Sequence, residues 1–176
     1  MKYLPFIDTE RLILRPITLE DTYDYFYMDS QPEVHTYLNG EPMDTLDDAI
    51  NTINSLHLQY EKYGIGRIAV IEKETFDFIG WTGFRYMEEE INGHQYYLDF
   101  GYRFKKEAWK KGYATEAASA CIEFYKKQLT HFDVHAITHI ENEASRRVLE
   151  KVGFEVIEKF VFKMWNIDCY WYDLKS

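Results

Sequence analysis

A chain of 176 residues, 46% hydrophobic and 18% aromatic, with only four prolines and nine glycines, has the apolar mass of one self-sufficient domain spanning 1–176. A domain of this size buries roughly 70% of its unfolded surface and needs no disulfide or metal staple. Its net charge of −10 divides into −11 over residues 1–95 and +1 over 96–176, which argues against nucleic acid as a partner and suits an anionic ligand at the second half with a cationic one at the first.

In chain order, the first sixteen residues carry Lys2, Asp8, Glu10, Arg11 and Arg15, which excludes the apolar centre of a secretion signal. Leu12-Ile13-Leu14 reads as a strand ending at Pro16. Thr18 followed by Asp21 is a capping-box start for a helix with Tyr23, Phe26 and Tyr27 on its apolar face. Thr45 and Asp48 repeat the signal for a second helix, with Leu46, Ile50, Ile53, Leu56, Tyr60 and Tyr63 at helical spacing and a stop at Gly64. Strand pieces follow at 67–72, 77–83 and 84–89. Asn92-Gly93 is a hairpin signal leading into a strand over 96–104, in which Tyr96, Leu98, Phe100, Tyr102 and Phe104 share one face.

Beyond a basic loop, residues 114–129 form an amphipathic helix with an Ala-rich buried stripe. A strand at 134–140, a short helix at 142–152 and a closing hairpin over 154–162 and 167–174 complete an α+β order, β-α-α-β-β-β-α-β-α-β-β, around a mostly antiparallel sheet. No apolar run approaches the length of a membrane span. Cys121 and Cys169 are isolated, and the six histidines show no ligand spacing. These features predict a cytoplasmic protein with no metal and no membrane partner; a homodimer is open to it.

The segment with most chemistry in it is Trp109-Lys110-Lys111-Gly112-Tyr113-Ala114-Thr115-Glu116-Ala117, between a strand and a helix. A helix start presents unpaired N–H groups and a positive dipole end, and Gly112 lets a phosphate pair approach the backbone. Arg103, Lys105, Lys106, Lys110 and Lys111 add positive charge. The glycine spacing is not that of a Walker loop.

This segment resembles the pyrophosphate-binding motif of the GNAT N-acetyltransferase superfamily, in the form used by its RimJ/RimL-like branch (ribosomal-protein N-terminal acetyltransferases). Gly112 and Ala114 occupy the small positions, Trp109 stands in the Q/R place, and Lys110 departs from the usual glycine. Thr9-Glu10-Arg11-Leu12 with Leu14-Arg15-Pro16, Ile79-Gly80, and the Asn142–Phe154 segment match further motifs of that branch in order. The resemblance implies a GNAT-like sheet flanked by helices and splayed after its fourth strand, with the pantetheine arm of acetyl-CoA in the gap and Gly101 at a bulge. It implies cofactor contacts from Tyr102, Phe104, Trp109, Lys110, Lys111, Gly112, Tyr113, Ala114, Thr115, Asn142 and Ser145. It further implies Asp99 as general base and Ser145 as proton donor, since Leu149 stands where many relatives have a donor tyrosine. The reaction implied is direct acetyl transfer to a primary amine, a protein or peptide N-terminal α-amine first. A small cationic amine is the alternative within enzymes, and a non-catalytic acyl-CoA-binding module the alternative outside them.

Overall fold

In the computed structural model, which describes residues 4–38 and 40–175, two short strands, β1 (Ile7–Asp8) and β2 (Leu12–Pro16), open the chain. Leu12 and Leu14 of β2 point into the core and are fully buried. Thr18 N–H donates to Asp21 Oδ2 at 2.8 Å, so the capping box forms. It opens a 3-10 turn over Leu19–Asp21, and the helix proper, α1, runs Thr22–Asp29. Tyr25, Met28 and Asp29 are the buried residues of α1, and Phe26 packs partly buried against the same core. Tyr23 is 74% exposed and Tyr27 48%, a correction to those two residues of the predicted face.

Helix α2 (Leu46–Tyr63) begins at the Thr45–Asp48 box and ends at left-handed Gly64. It buries Ala49 and Ile53 against the sheet. Next come β3 (Arg67–Glu72), β4 (Phe78–Met87) and β5 (Tyr97–Phe104). The two predicted pieces around 77–89 are one ten-residue strand, because its ladder to β5 runs unbroken through Gly83↔Gly101 and Phe84↔Phe100. The same ladder leaves no bulge at Gly101, contrary to expectation; a regular register pairs every residue there. Asn92 and Gly93 both have positive φ, as the hairpin signal requires.

Helix α3 (Tyr113–Gln128), strand β6 (Val134–His139), helix α4 (Glu143–Lys151) and the β7 (Phe154–Phe162)–β8 (Ile167–Leu174) hairpin complete the chain. The eight strands form one sheet, ordered β1-β2-β3-β4-β5-β6-β8-β7, antiparallel except between β5 and β6. The α+β class and the mostly antiparallel sheet flanked by helices are as expected. One core lies between the sheet and α3 and α4, around Leu98, Phe100, Ala117, Ala118, Leu149 and Phe154. A second lies beneath α1 and α2, around Ile17, Tyr25, Met28, Ile53 and Ala69. Each such Leu or Ile contributes roughly 1.5–3 kcal/mol by leaving water. Alanines at 117 and 118 are small enough to bring α3 close to the sheet. Among the described residues, no helix is long and apolar enough to cross a membrane.

Candidate active site

The parallel pairing of β5 with β6 extends over two residue pairs only, Leu98↔Val134 and Asp99↔His135. Beyond them the strands separate, and a cavity of about 120 Å³ lies in the opening. Its lining includes Phe100, Gly101 and Tyr102 from β5, Thr138 from β6, and Asn142 and Ser145 from the start of α4. The backbone of β5 after Asp99 and of β6 after His135 thus faces the opening without a strand partner. An extended ligand with amide groups fits such a slot, since it can pair with both edges.

Asn142 caps α4, its Oδ1 accepting the Ser145 N–H at 3.1 Å. Across the opening, Tyr102 Oη donates to the Ser145 carbonyl at 2.9 Å and lies 2.9 Å from Ser145 Oγ. Three residues expected at the cofactor, Tyr102, Asn142 and Ser145, are brought together. Burial holds the Tyr102 phenol well above its ordinary pKa, so it stays a neutral donor. Phe104 is instead part of the core, 5% exposed, with its ring and backbone against Gly80; a Cβ at Gly80 would lie 2.3 Å from the Arg103 carbonyl oxygen. That close approach explains the glycine of the Ile79-Gly80 pair.

At the open end of β5, a 3-10 turn (Lys106–Ala108) leads into the loop before α3. Trp109 Nε1 donates to the Phe104 carbonyl at 2.9 Å and anchors the loop. Lys110 has φ +61 and Gly112 φ +85. Lys110 therefore holds a left-handed conformation that glycine would adopt more cheaply, by roughly 1–2 kcal/mol, so its departure from the motif changes the residue and not the backbone path. Gly112 is exposed and is the N-cap of α3. The N–H groups of Tyr113, Ala114 and Thr115 follow it, in the turn where helical N–H groups have no intrahelical acceptor. A Cβ at Gly112 would meet only Arg11, at 3.4 Å, so the surface above the loop is open to a ligand.

The positive charge expected around this loop is partly spent. Arg103 pairs with Asp29 at 2.7 Å, Lys105 with Asp24 at 2.6 Å, and Lys106 with Glu33. Lys110 and Lys111 have no carboxylate partner among the described residues. The acidic first half and basic second half thus meet and neutralise one another along α1 and the turn after it. Arg11 was missed as a loop residue. It donates through Nη1 to the Lys111 carbonyl at 2.9 Å and through Nε to Glu116 at 2.7 Å, and its guanidinium lies 4.6 Å from the Tyr113 ring centre. Thr9 Oγ1 also donates to Glu116, at 2.6 Å. The signal was present: the Thr9-Glu10-Arg11 and Thr115-Glu116 motif segments carry complementary polar groups.

On the opposite face of β5, Asp99 accepts from Arg67, which is buried beside it. Burial raises the Asp99 pKa, and the Arg67 charge opposes that rise. Cys169 lines the gap as well, though no catalytic segment contains it. Burial pushes its thiol up to about 11 and that of Cys121 up to about 12, so neither presents a thiolate near neutral pH. A larger opening of about 450 Å³, lined by His35, Thr36, Glu41 and others, adjoins the gap; both share Tyr37, His139 and Ile167.

A sheet that splays between two parallel strands, beside a helix whose exposed start follows a glycine turn, defines the class: a mixed fold with an internal slot that ends near unpaired helical N–H groups. Comparison with known proteins specifies it. Residues 11–155 match the acetyltransferase (GNAT) domain, and the chain belongs to that family. An uncharacterized N-acetyltransferase, YoaA of Bacillus subtilis, is 32% identical over 163 residues, covering 90% of this chain and 89% of its own. A GNAT-family acetyltransferase structure from Bordetella pertussis shares the fold with TM-score 0.83 at 18% identity, covering 97% of this chain and 99% of its own. RimL, a ribosomal L7/L12 α-N-protein acetyltransferase solved with coenzyme A, shares it with TM-score 0.79 at 14% identity, covering 96% and 97%. The chain is an N-acetyltransferase by family.

Proposed function

We propose that this enzyme, cytoplasmic by its sequence, moves an acetyl group from acetyl-CoA to the α-amine of a protein or peptide N-terminus, as the RimJ/RimL-like branch does. The observation that carries the reading is the gap after Asp99 and His135, with Tyr102 and Ser145 bridging it. The pantetheine arm lies between the β5 and β6 edges, and the phosphates meet the turn at Gly112. The free amine adds to the thioester carbonyl carbon, forming the C–N bond and a tetrahedral oxyanion, and collapse of that intermediate breaks the C–S bond and releases the thiolate. A backbone N–H of β5 near Gly101 stabilises the oxyanion. Asp99 takes the amine proton through a water, and the Ser145 hydroxyl, hydrogen-bonded to Tyr102, supplies a proton to the departing thiolate.

A carboxylate base such as Asp99 is better matched to an α-amine than to a lysine-like one. An α-ammonium has a pKa near 7.7–8.0 against about 10.4 for lysine, so it gives up its proton to a carboxylate at about 3.5 kcal/mol less cost. A second reading, acetylation of a small cationic amine, is favoured by Glu41 in the adjoining opening, whose lining among the described residues contains no Lys or Arg.

Thiol release from acetyl-CoA, measured on free-N-terminus peptides, N-blocked peptides with lysine, and polyamines, separates the two. Turnover on free N-termini is expected, with Asp99→Asn slowing it 10²–10⁴-fold and leaving acetyl-CoA affinity near wild type. Turnover on polyamines alone replaces the first reading with the second. Acetyl-CoA binding with no turnover on any amine sinks both. A wild-type rate for Asp99→Asn across pH 6 to 9 removes Asp99 as the base.

A further inference from the structure

We propose that Arg67 is a positioning residue for amine activation: it holds the Asp99 carboxylate and the backbone around Gly101 in one frame at the apex of the gap. The inference rests on the reading of Asp99 as the proton acceptor.

Arg67 starts on β3 and reaches past β4 to β5. Its Nη1 donates to the Asp99 carbonyl at 2.8 Å and also to the Gly83 carbonyl, while Nη2 donates to the Asp99 carboxylate. One planar group thus ties side chain and main chain of the same residue, at the last position where β5 is paired with β6. The fit is tight on the next residue too: a Cβ at position 101 would lie 3.0 Å from Arg67 Nη2. Glycine at 101 is therefore the residue beneath which the guanidinium fits. Trp81 forms a wall, with Arg67 5.1 Å and Arg103 5.4 Å from its ring centre.

The arrangement supplies geometry more than stability. A buried ion pair gives up much of its attraction to desolvation, and here the Arg67 side chain is 11% exposed and that of Asp99 21%. Lysine could supply the charge at this position but not the planar fork that reaches two carbonyls and a carboxylate together.

The charged and titratable groups that act on this pair come from each neighbouring strand. Arg85 of β4 stands opposite Asp99 in register, and His135 of β6 is its parallel partner. Tyr97 precedes it on β5 and senses its charge, and Tyr25 of α1 acts on Arg67. Burial raises the Asp99 pKa and Arg67 is the largest opposing influence. Without that charge the carboxyl keeps its proton to higher pH, and the base is lost at pH values where the wild type retains it.

The test measures kcat/KM against pH for wild type, Arg67→Lys, Arg67→Gln, Asp99→Asn and the double variant Asp99→Asn/Arg67→Gln with one peptide acceptor, alongside thermal melts. The amine's own ionisation is common to all five and cancels in the comparison. In Arg67→Gln the acidic limb is expected to move to higher pH by about one to three units, the usual effect of losing an opposite charge at contact. Arg67→Lys retains the charge and should keep its limb close to wild type, but with kcat reduced about tenfold because the frame is gone, a loss of about 1.4 kcal/mol. In the Asp99→Asn background, Arg67→Gln should move no limb further. A folded Arg67→Gln with an unmoved limb, while Asp99→Asn is slow, overturns the role of Arg67 and leaves Asp99 standing. If Arg67→Gln does not fold, Arg67→Lys with a wild-type rate overturns it instead. A full rate in Asp99→Asn removes the base, and the positioning role with it.

Discussion

Gly112 offers the sharpest test of where the phosphates bind, because alanine and valine there perturb different things. The backbone sits at φ +85, where an L residue costs about 1–2 kcal/mol. A Cβ meets nothing closer than Arg11 Nη2 at 3.4 Å, so Gly112→Ala adds conformational cost with little collision. For a domain of this length each kcal/mol lowers Tm by about 2–4 °C, so alanine should lower it by about 2–8 °C. Valine carries the same cost and adds two methyl groups beside the first N–H groups of α3, where the phosphates are proposed to bind. Charge-assisted hydrogen bonds contribute roughly 1.5–3 kcal/mol each. Losing even one should raise the acetyl-CoA Kd by about tenfold or more. Calorimetric Kd values and ligand-free melts for wild type and both variants are the measurements. In the wild type, acetyl-CoA at a hundredfold excess over Kd should stabilise the fold by about 2.7 kcal/mol, a rise of about 5–11 °C. A folded Gly112→Val with wild-type affinity would refute the placement of the pyrophosphate on this turn. Equal losses for alanine and valine would show that backbone conformation, not steric access, governs binding.

Two further outcomes follow from geometry already described. Gly80→Ala drives a methyl group against the Arg103 carbonyl oxygen and the Phe104 ring, and should destabilise the fold by about 3 kcal/mol in denaturant melts; a variant within about 0.5 kcal/mol of wild type would mean that β4 and β5 separate easily. His135, 7% exposed and 2.6 Å from Asp173, has its pKa lowered chiefly by burial. Its neutral form is favoured by folding, so stability should fall as pH drops below the unfolded value of about 6.5 and be fully present above it. His135→Gln should flatten that part of the stability–pH curve, and an unchanged slope in the variant would assign the acid loss to other groups.

Much of the frame was legible in the sequence because local chemistry agreed with tertiary need. The Thr45–Asp48 box, the Gly64 stop, the Asn92-Gly93 turn and the alternation of Leu98, Phe100, Tyr102 and Phe104 in β5 each specify their own conformation and then find it reinforced by packing. Tyr96, expected on that face, instead lies before the strand at φ +62 and is 59% exposed, and Tyr97 is buried in its place. The errors have the same root. Tyr23 and Tyr27 fall on the exposed side of α1 because two arcs of aromatic residues compete at helical spacing and the core takes the one that holds Tyr25 and Met28. Strand β4 was divided at Gly83 because glycine is punctuation in most strands, whereas here the ladder to β5 continues across it. At the site, Tyr102, Asn142, Ser145 and the Gly112 turn could be picked out one by one, but the meeting of the first three across the gap depends on β5 and β6 running parallel. Arg67 was invisible for a related reason: nothing in an isolated arginine at a strand start foretells a carboxylate two strands away. The pairing of Arg103, Lys105 and Lys106 with α1 and the turn after it was likewise beyond a count of charges.

The short β5–β6 seam makes this sheet unusual in a way that bears on its life without a ligand. An interior strand normally has both sides occupied, yet β5 and β6 each present a stretch of open backbone toward the middle of the molecule. Open strand edges invite pairing with other chains, and proteins usually defend them at the outer rim. Here the two edges face each other inside the molecule, across a cavity of about 120 Å³. Edges that face inward are withheld from other chains by the strands and helices around them, and under the proposed function the cofactor arm is what would pair with them.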